Sequence, residues 1–187
     1  MIHVSLLGKG QLARDIADWF LRSYKFKLCN VVPVTPEPDW CPSLHNWALK
    51  HNINVVQDHN DLEDGLDLVM SVFYEKIIKA DFIYRCKRII NLHNAPLPKY
   101  RGVRPINWAL KNGETQHGVT IHEITPGIDD GPIIGQVTYP IYPDIESVKD
   151  VYDKSLDYGF SLFMDVMPKI DKIEPVEQNH IEATYYS

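Results

Sequence analysis

The alternation of short apolar runs with amphipathic segments limits the fold of this chain more than any other feature of it. Residues 2–7 are an apolar run ending in Gly8-Lys9-Gly10, the pattern of a buried strand entering a tight turn. Leu12, Ile16, Trp19 and Phe20 follow at i, i+4, i+7 and i+8, which puts one apolar stripe on a helix over 11–24. Further strands are expected over 27–34, 53–56, 67–73 and 88–92. Helices over 43–51 and 76–86 separate them, and a Pro-containing acidic loop fills 35–42. Strands that alternate with helices in this way build an α/β fold, a Rossmann-like, mostly parallel sheet with helices on both faces.

The later part reads differently. Strands over 118–123 and 133–141 are joined by a loop over 125–131, close enough in sequence to pair as an antiparallel extension. Residues 147–167 form a long helix with Val148, Tyr152, Leu156, Phe163 and Val166 on one face, closed by Pro168. The expected organisation is one catalytic domain over 1–170 and a polar tail over 171–187.

Composition excludes several classes. The net charge of -6 disfavours a large nucleic-acid surface, which needs clustered Lys and Arg. Three cysteines without a CxxC pair argue against a disulfide framework and against a structural zinc site, so no metal is expected. The first residues run straight into a strand, with no basic leader or apolar signal core, and no stretch reaches membrane-spanning length. The expectation is a reducing cytoplasm.

Chemistry concentrates in Asn91-Leu92-His93-Asn94-Ala95-Pro96-Leu97-Pro98-Lys99-Tyr100-Arg101-Gly102, directly after a buried strand. In open parallel sheets, ligands bind beyond the carboxyl ends of strands. Asn91 and His93 are two apart and share one face of an extended strand end. An Asn amide can donate to a developing oxyanion, and a His can move protons near neutral pH. A carboxylate to orient the imidazole is available from Asp129 or Asp130; both also read as turn residues before Gly131. His122 reads as a pocket-wall residue, His117 as solvated, and His59 as lying in a surface stretch.

The chain resembles the formyltransferases that use 10-formyltetrahydrofolate, among them methionyl-tRNA formyltransferase, glycinamide ribonucleotide transformylase and the sugar N-formyltransferases. The likeness is carried in order by Asn91-Leu92-His93, Leu97-Pro98, Arg101-Gly102, Gly118-Val119-Thr120 and Asp129-Asp130-Gly131, with the family's usual interval between Asn91 and Asp129. It extends from the first strand to the tail, whose Ala183-Thr184-Tyr185-Tyr186 is similar to the segment after the catalytic domain in several members. The resemblance implies a cis bond before Pro98 and selects Asp129 over Asp130.

It also implies a mechanism. Asn91 and protonated His93 stabilise the oxyanion of a tetrahedral intermediate. Asp129 holds His93 and raises its pKa, and also relays a proton through water to the leaving nitrogen. The folate co-substrate is expected along Phe73, Tyr74, Lys76, Ile77, Ile78, Thr125, Gly127 and Ile128, mostly through main chain. For the side chains of Phe73, Ile77 and Ile78 taken singly, ordinary core packing is the stronger reading. The amine substrate is expected at Gly8, Lys9, Gly10, Tyr100, Arg101 and Gly102; Tyr100 and Arg101 read as structural turn residues with the same weight.

The favoured acceptor is a nucleotide-linked amino sugar, with a homodimer compatible with the resemblance. Glycinamide ribonucleotide fits less well, because its phosphate loop is richer in Ser and Asn than Gly8-Lys9-Gly10-Gln11. Methionyl-tRNA fits less well because of the acidity, and because the chain is expected to end where a tRNA-holding domain begins. Two other classes remain open. A nucleotide-binding oxidoreductase rests on the two-glycine turn alone, which lacks a third glycine. A non-catalytic folate-binding protein has to explain an intact Asn91, His93 and Asp129.

Overall fold

The structure, a computed structural model, describes all residues from Met1 to Ser187. Its strands are β1 (Ile2–Gly8), β2 (Phe26–Pro33), β3 (Asn54–Val55), β4 (Leu68–Val72), β5 (Ile89–His93), β6 (Arg101–Gly102), β7 (Gln116–Glu123), β8 (Ile133–Pro140) and β9 (Tyr185–Tyr186). Its helices are α1 (Gly10–Leu21), α2 (Leu44–Lys50), α3 (Ala80–Ile83), α4 (Pro105–Lys111) and α5 (Val148–Val166). The main sheet runs β3-β2-β1-β4-β5-β7-β8, and β6 and β9 form a separate two-stranded ladder. The chain divides into two compact units, Met1–Asn91 and Leu92–Ser187.

In the first unit β1 pairs in parallel with both β2 and β4. Both faces of a central parallel strand are covered, so Val4, Leu6 and Leu7 are all fully buried. Helix α1 buries Leu12, Ala13, Ile16, Ala17 and Phe20; each large side chain of this kind contributes about 1.5–3 kcal/mol on leaving water. Gly8 is required by a close approach, since a Cβ there would stand 2.3 Å from the Val72 carbonyl oxygen.

The helix expected over 76–86 shrinks to α3. Residues 76–79 before it are non-helical; Lys76 Nζ donates to Asp58 at 2.7 Å, and just upstream the Tyr74 hydroxyl meets His59 Nδ1 at 3.1 Å. Ile77, one of whose two readings was core packing, is 77% exposed. His59 is buried rather than superficial, its ring set edge-on against Phe82.

The second unit contains the antiparallel pair β7–β8. Helix α5 opens with a reciprocal cap between Ser147 and Asp150 and packs on this pair; a Cβ at Gly135 would reach 2.7 Å from a Val166 methyl. Helix α4, absent from the sequence reading, starts on Pro105, a residue suited to the first turn. His117 is fully buried, not solvated. Its Nε2 donates to the Asn94 carbonyl at 2.9 Å, and burial pushes its pKa down to about 4. No helix is long and apolar enough to cross a membrane.

Candidate active site

Strand β5 carries Ile89, Ile90 and Leu92 into the core and ends on His93, itself buried; Asn91, on the same face as His93, is half-buried. The His93 ring is anchored at one end, because Nε2 lies 2.9 Å from the Tyr100 carbonyl oxygen and must carry the proton it donates there. Its Nδ1 then faces Oδ2 of Asp129 at 3.6 Å. On β7, His122 is set in the same manner: Nδ1 donates to the Glu123 carbonyl at 2.8 Å, and Nε2 faces Oδ1 of Asp129 at 3.6 Å. One carboxylate therefore stands between two imidazoles, each tethered through its other nitrogen to main chain.

Both 3.6 Å separations are too long for hydrogen bonds. The shorter contact to Asp129 comes from the Gly102 amide, at 2.9 Å from Oδ2. Burial alone would raise the Asp129 carboxyl, but His93, His122 and the Gly102 amide outweigh it and hold the pKa at about 2. His93 departs from the sequence expectation. Burial lowers its pKa, and the attraction of Asp129 does not reverse that, because desolvation of the ring is the larger effect.

Each motif has a local cause. Leu97–Pro98 is cis. The Thr120 hydroxyl donates to the Ala95 carbonyl at 2.7 Å and accepts from the Leu97 amide at 3.2 Å, so it closes the turn that precedes Pro98. A Cβ at Gly118 would lie 2.6 Å from the Val137 carbonyl oxygen, and one at Gly131 would lie 2.0 Å from that of Glu123. Asp129 has a φ of 49°, a conformation that an Asp tolerates better than most residues. Its neighbour Asp130 turns away and accepts the Thr125 hydroxyl within the loop.

The remaining expected site residues are placed as follows. Phe73, directly after β4, has a φ of 54° and is half-buried, as is Ile78. Gly127 and Ile128 are exposed, the latter at 56%. Gly10 starts α1, and the Lys9 ammonium pairs with Glu75 and lies 5.7 Å from the Trp40 ring centre. Tyr100 and Arg101 follow their structural reading. The Tyr100 ring is buried, stacks on Tyr186 at 5.1 Å and donates to Glu114 at 2.7 Å. Arg101 is fully buried with its guanidinium spent on internal partners, so its side chain is not open to an amine.

The family model described as formyl transferase matches residues 31–167. The chain belongs to this family. It is 35% identical over 149 residues to the methionyl-tRNA formyltransferase of Streptococcus uberis, covering 74% of this chain and 48% of that protein. It is 30% identical over 178 residues to the corresponding enzyme of Trichlorobacter lovleyi, covering 83% of this chain and 56% of that protein. The chain thus spans about half the length of these curated relatives.

Among solved formyl transferase structures, the N-formyltransferase from Helicobacter canadensis, in complex with folinic acid and dTDP-3-aminofucose, superposes with a TM-score of 0.89 at 28% identity. The match covers 100% of this chain and 71% of that one. WlaRD, a sugar 3N-formyl transferase in the presence of dTDP and 5-N-formyl-THF, gives 0.88 at 30% identity, with 100% and 70% covered.

Sequence reasoning reaches His122 only as a pocket-wall residue, two positions past Thr120 on β7, and not as a neighbour of Asp129. The buried Gln178 and the tail that carries it left no periodic pattern to read.

Proposed function

We propose that the chain transfers a formyl group from 10-formyltetrahydrofolate to the amine of a nucleotide-linked amino sugar. The observation that carries this reading is the ionised Asp129 set against the unprotonated Nδ1 of His93 at the end of β5. The amine attacks the formyl carbon and the carbonyl oxygen becomes an oxyanion, to which the Asn91 amide donates. The nitrogen must then lose a proton. His93 accepts it at Nδ1, Asp129 stabilises the imidazolium so formed, and the proton passes to the departing folate nitrogen as the carbon–nitrogen bond breaks. This assigns His93 to proton transfer rather than to oxyanion binding, because its Nε2 proton is used by Tyr100.

Co-substrate contacts are proposed for Phe73, Tyr74, Lys76, Ile77 and Ile78, and for Thr125, Gly127 and Ile128; acceptor contacts are proposed for Gly8, Lys9 and Gly10. Support for a folate and a nucleotide sugar comes from the ligands of the Helicobacter canadensis and WlaRD structures, which match all of this chain. A second reading, methionyl-tRNA as acceptor, is favoured by the 35% identity to the Streptococcus uberis enzyme. The net charge of -6 weighs against it.

The test is incubation with 10-formyltetrahydrofolate and, in parallel, dTDP- and UDP-linked amino sugars, glycinamide ribonucleotide and methionyl-tRNA. Tetrahydrofolate release and product mass are followed. A formamide appearing on a nucleotide sugar supports the first reading. Formylation of methionyl-tRNA alone transfers the case to the second, and no folate turnover with any amine rejects both.

A further inference from the structure

Gln178 lies outside every helix and strand, yet it is 5% exposed and both ends of its amide are engaged. Oε1 accepts from Arg101 Nε at 3.1 Å and from Nη2 at 2.6 Å. Nε2 donates to the main-chain carbonyls of Asp129 at 2.9 Å and Gly131 at 2.7 Å. The orientation of the amide is determined, since guanidinium nitrogens only donate and carbonyl oxygens only accept. Arg101 is in turn held by the Tyr185 hydroxyl, by His180 Nδ1 at 3.2 Å and by the Tyr185 ring, 5.2 Å from its guanidinium carbon.

A buried arginine is ordinarily matched by a carboxylate. Here it meets an amide oxygen, a hydroxyl and an imidazole nitrogen, and the amide that stands in place of a carboxylate has two further protons to give. They go to the two carbonyls that flank the Asp129–Asp130 turn. The same short strand is gripped from both sides. The amides of Arg101 and Val103 donate to Thr184 and Tyr186 of the tail at 2.9 and 3.0 Å, while the intervening Gly102 amide donates to the Asp129 carboxylate. Asp129 sits at a φ of 49°, which its surroundings have to hold in place.

We propose that Gln178 is a positioning residue for formyl transfer: by tying the main chain at Asp129 and Gly131 to Arg101, it keeps the Asp129 carboxylate opposite His93. The inference rests on the function proposed above. It makes the tail segment part of the apparatus that sets the geometry of the reaction.

The test compares Gln178→Glu, Gln178→Met and the control His180→Ala, which touches Arg101 but not the Asp129 loop. Glu at 178 keeps the acceptor for Arg101 and loses the donors to the loop; Met loses both. Three quantities are measured: hydrogen exchange at the Gly102 amide, kcat and KM for formyl transfer, and melting temperature. The expected result for Gln178→Glu is a folded protein, its lost loop bonds offset in part by the ion pair with Arg101, and at least about tenfold faster exchange at Gly102. Its kcat is expected to drop roughly ten- to hundredfold with KM little changed, the scale of an ångström-sized misplacement. Gln178→Met repeats these losses with a lower melting temperature, and His180→Ala shows none of them. Native exchange at Gly102 in both Gln178 variants overturns the proposal, as does a native kcat in both. If the wild-type chain transfers no formyl group, the functional reading fails by itself, and exchange at Gly102 still decides whether Gln178 holds the loop.

Discussion

The amide of Gly102 donates to Oδ2 of Asp129 at 2.9 Å, which binds the carboxylate to the short strand that follows the cis Leu97–Pro98 bond. Two parts of the family pattern, the Arg-Gly pair and the Asp-x-Gly loop, are therefore one structural unit. A Cβ at Gly102 would stand 2.1 Å from the Tyr186 carbonyl oxygen, and the residue has a φ of 95°. Gly102→Ala is expected to cost at least about 2 kcal/mol, because the clash is with backbone and the conformation disfavours any side chain. Chemical denaturation measures it; a loss within 0.5 kcal/mol, about the scatter of neutral surface changes, would show that the tail simply moves aside.

Asn91→Ala, His93→Ala and Asp129→Ala are each expected to lower the rate of formyl transfer by about a hundredfold or more with the fold retained. Asp130→Ala is expected to be mild, since the Asp130 side chain serves the loop through Thr125 and not the two imidazoles. Steady-state rates with circular dichroism as the folding control decide this. Equal losses at positions 129 and 130 would show that the wrong aspartate has been assigned.

Thr120→Val keeps the shape and removes the hydroxyl, which serves the Ala95 carbonyl, the Leu97 amide and the Gln136 side chain. Leaving buried groups unpaired costs about 1–3 kcal/mol. The variant should melt earlier and lose activity through the turn that leads to Tyr100, the anchor of His93. A melting temperature equal to that of the native chain would count against this account of the Gly-Val-Thr motif.

Stability should fall on mild acidification, with His117 as one identifiable source. Burial lowers its pKa from 6.5 to about 4, so the folded state binds fewer protons than the unfolded state between these values. Its contribution is present above pH 6.5 and is lost as the pH falls toward 4, amounting to about 3 kcal/mol at most. Burial lowers His93 as well, and it acts in the same direction. Asp129, lowered to about 2, adds a further loss below its ordinary 3.8. In His117→Gln, whose amide can still donate to Asn94, the dependence of melting temperature on pH between 6.5 and 4 should be shallower. An unchanged slope would remove His117 as its source.

Local sequence determined a great deal. Continuous apolar runs marked the parallel strands, which are covered on both faces, and a helical repeat marked α1. Helix α5 lies where expected, but its buried face is Val151, Ser155, Gly159, Leu162 and Val166 with Phe163, not the expected face that includes the exposed Val148, because Ser155 and Gly159 pack closely without an apolar signal. The expectation for Asn91, His93 and Asp129 came from the resemblance that the ordered motifs carry; the residues alone left Asp129 and Asp130 open. Other features were decided only in three dimensions. The stretch before α3 resembles a helix but is not one, and its Lys76 reaches Asp58, a contact that no local repeat encodes. His117 looks like a surface residue until Tyr100 and Tyr139 enclose it. The pKa of His93 could not be foreseen from a neighbouring carboxylate, because its sign depends on how deeply the ring is buried. The tail carries no periodicity, so the engagement of Gln178 and Arg101 is visible only once the fold has brought residues 77 positions apart within 3.1 Å. Sequence records what each segment must satisfy by itself; burial and long-range pairing depend on which distant groups arrive beside it.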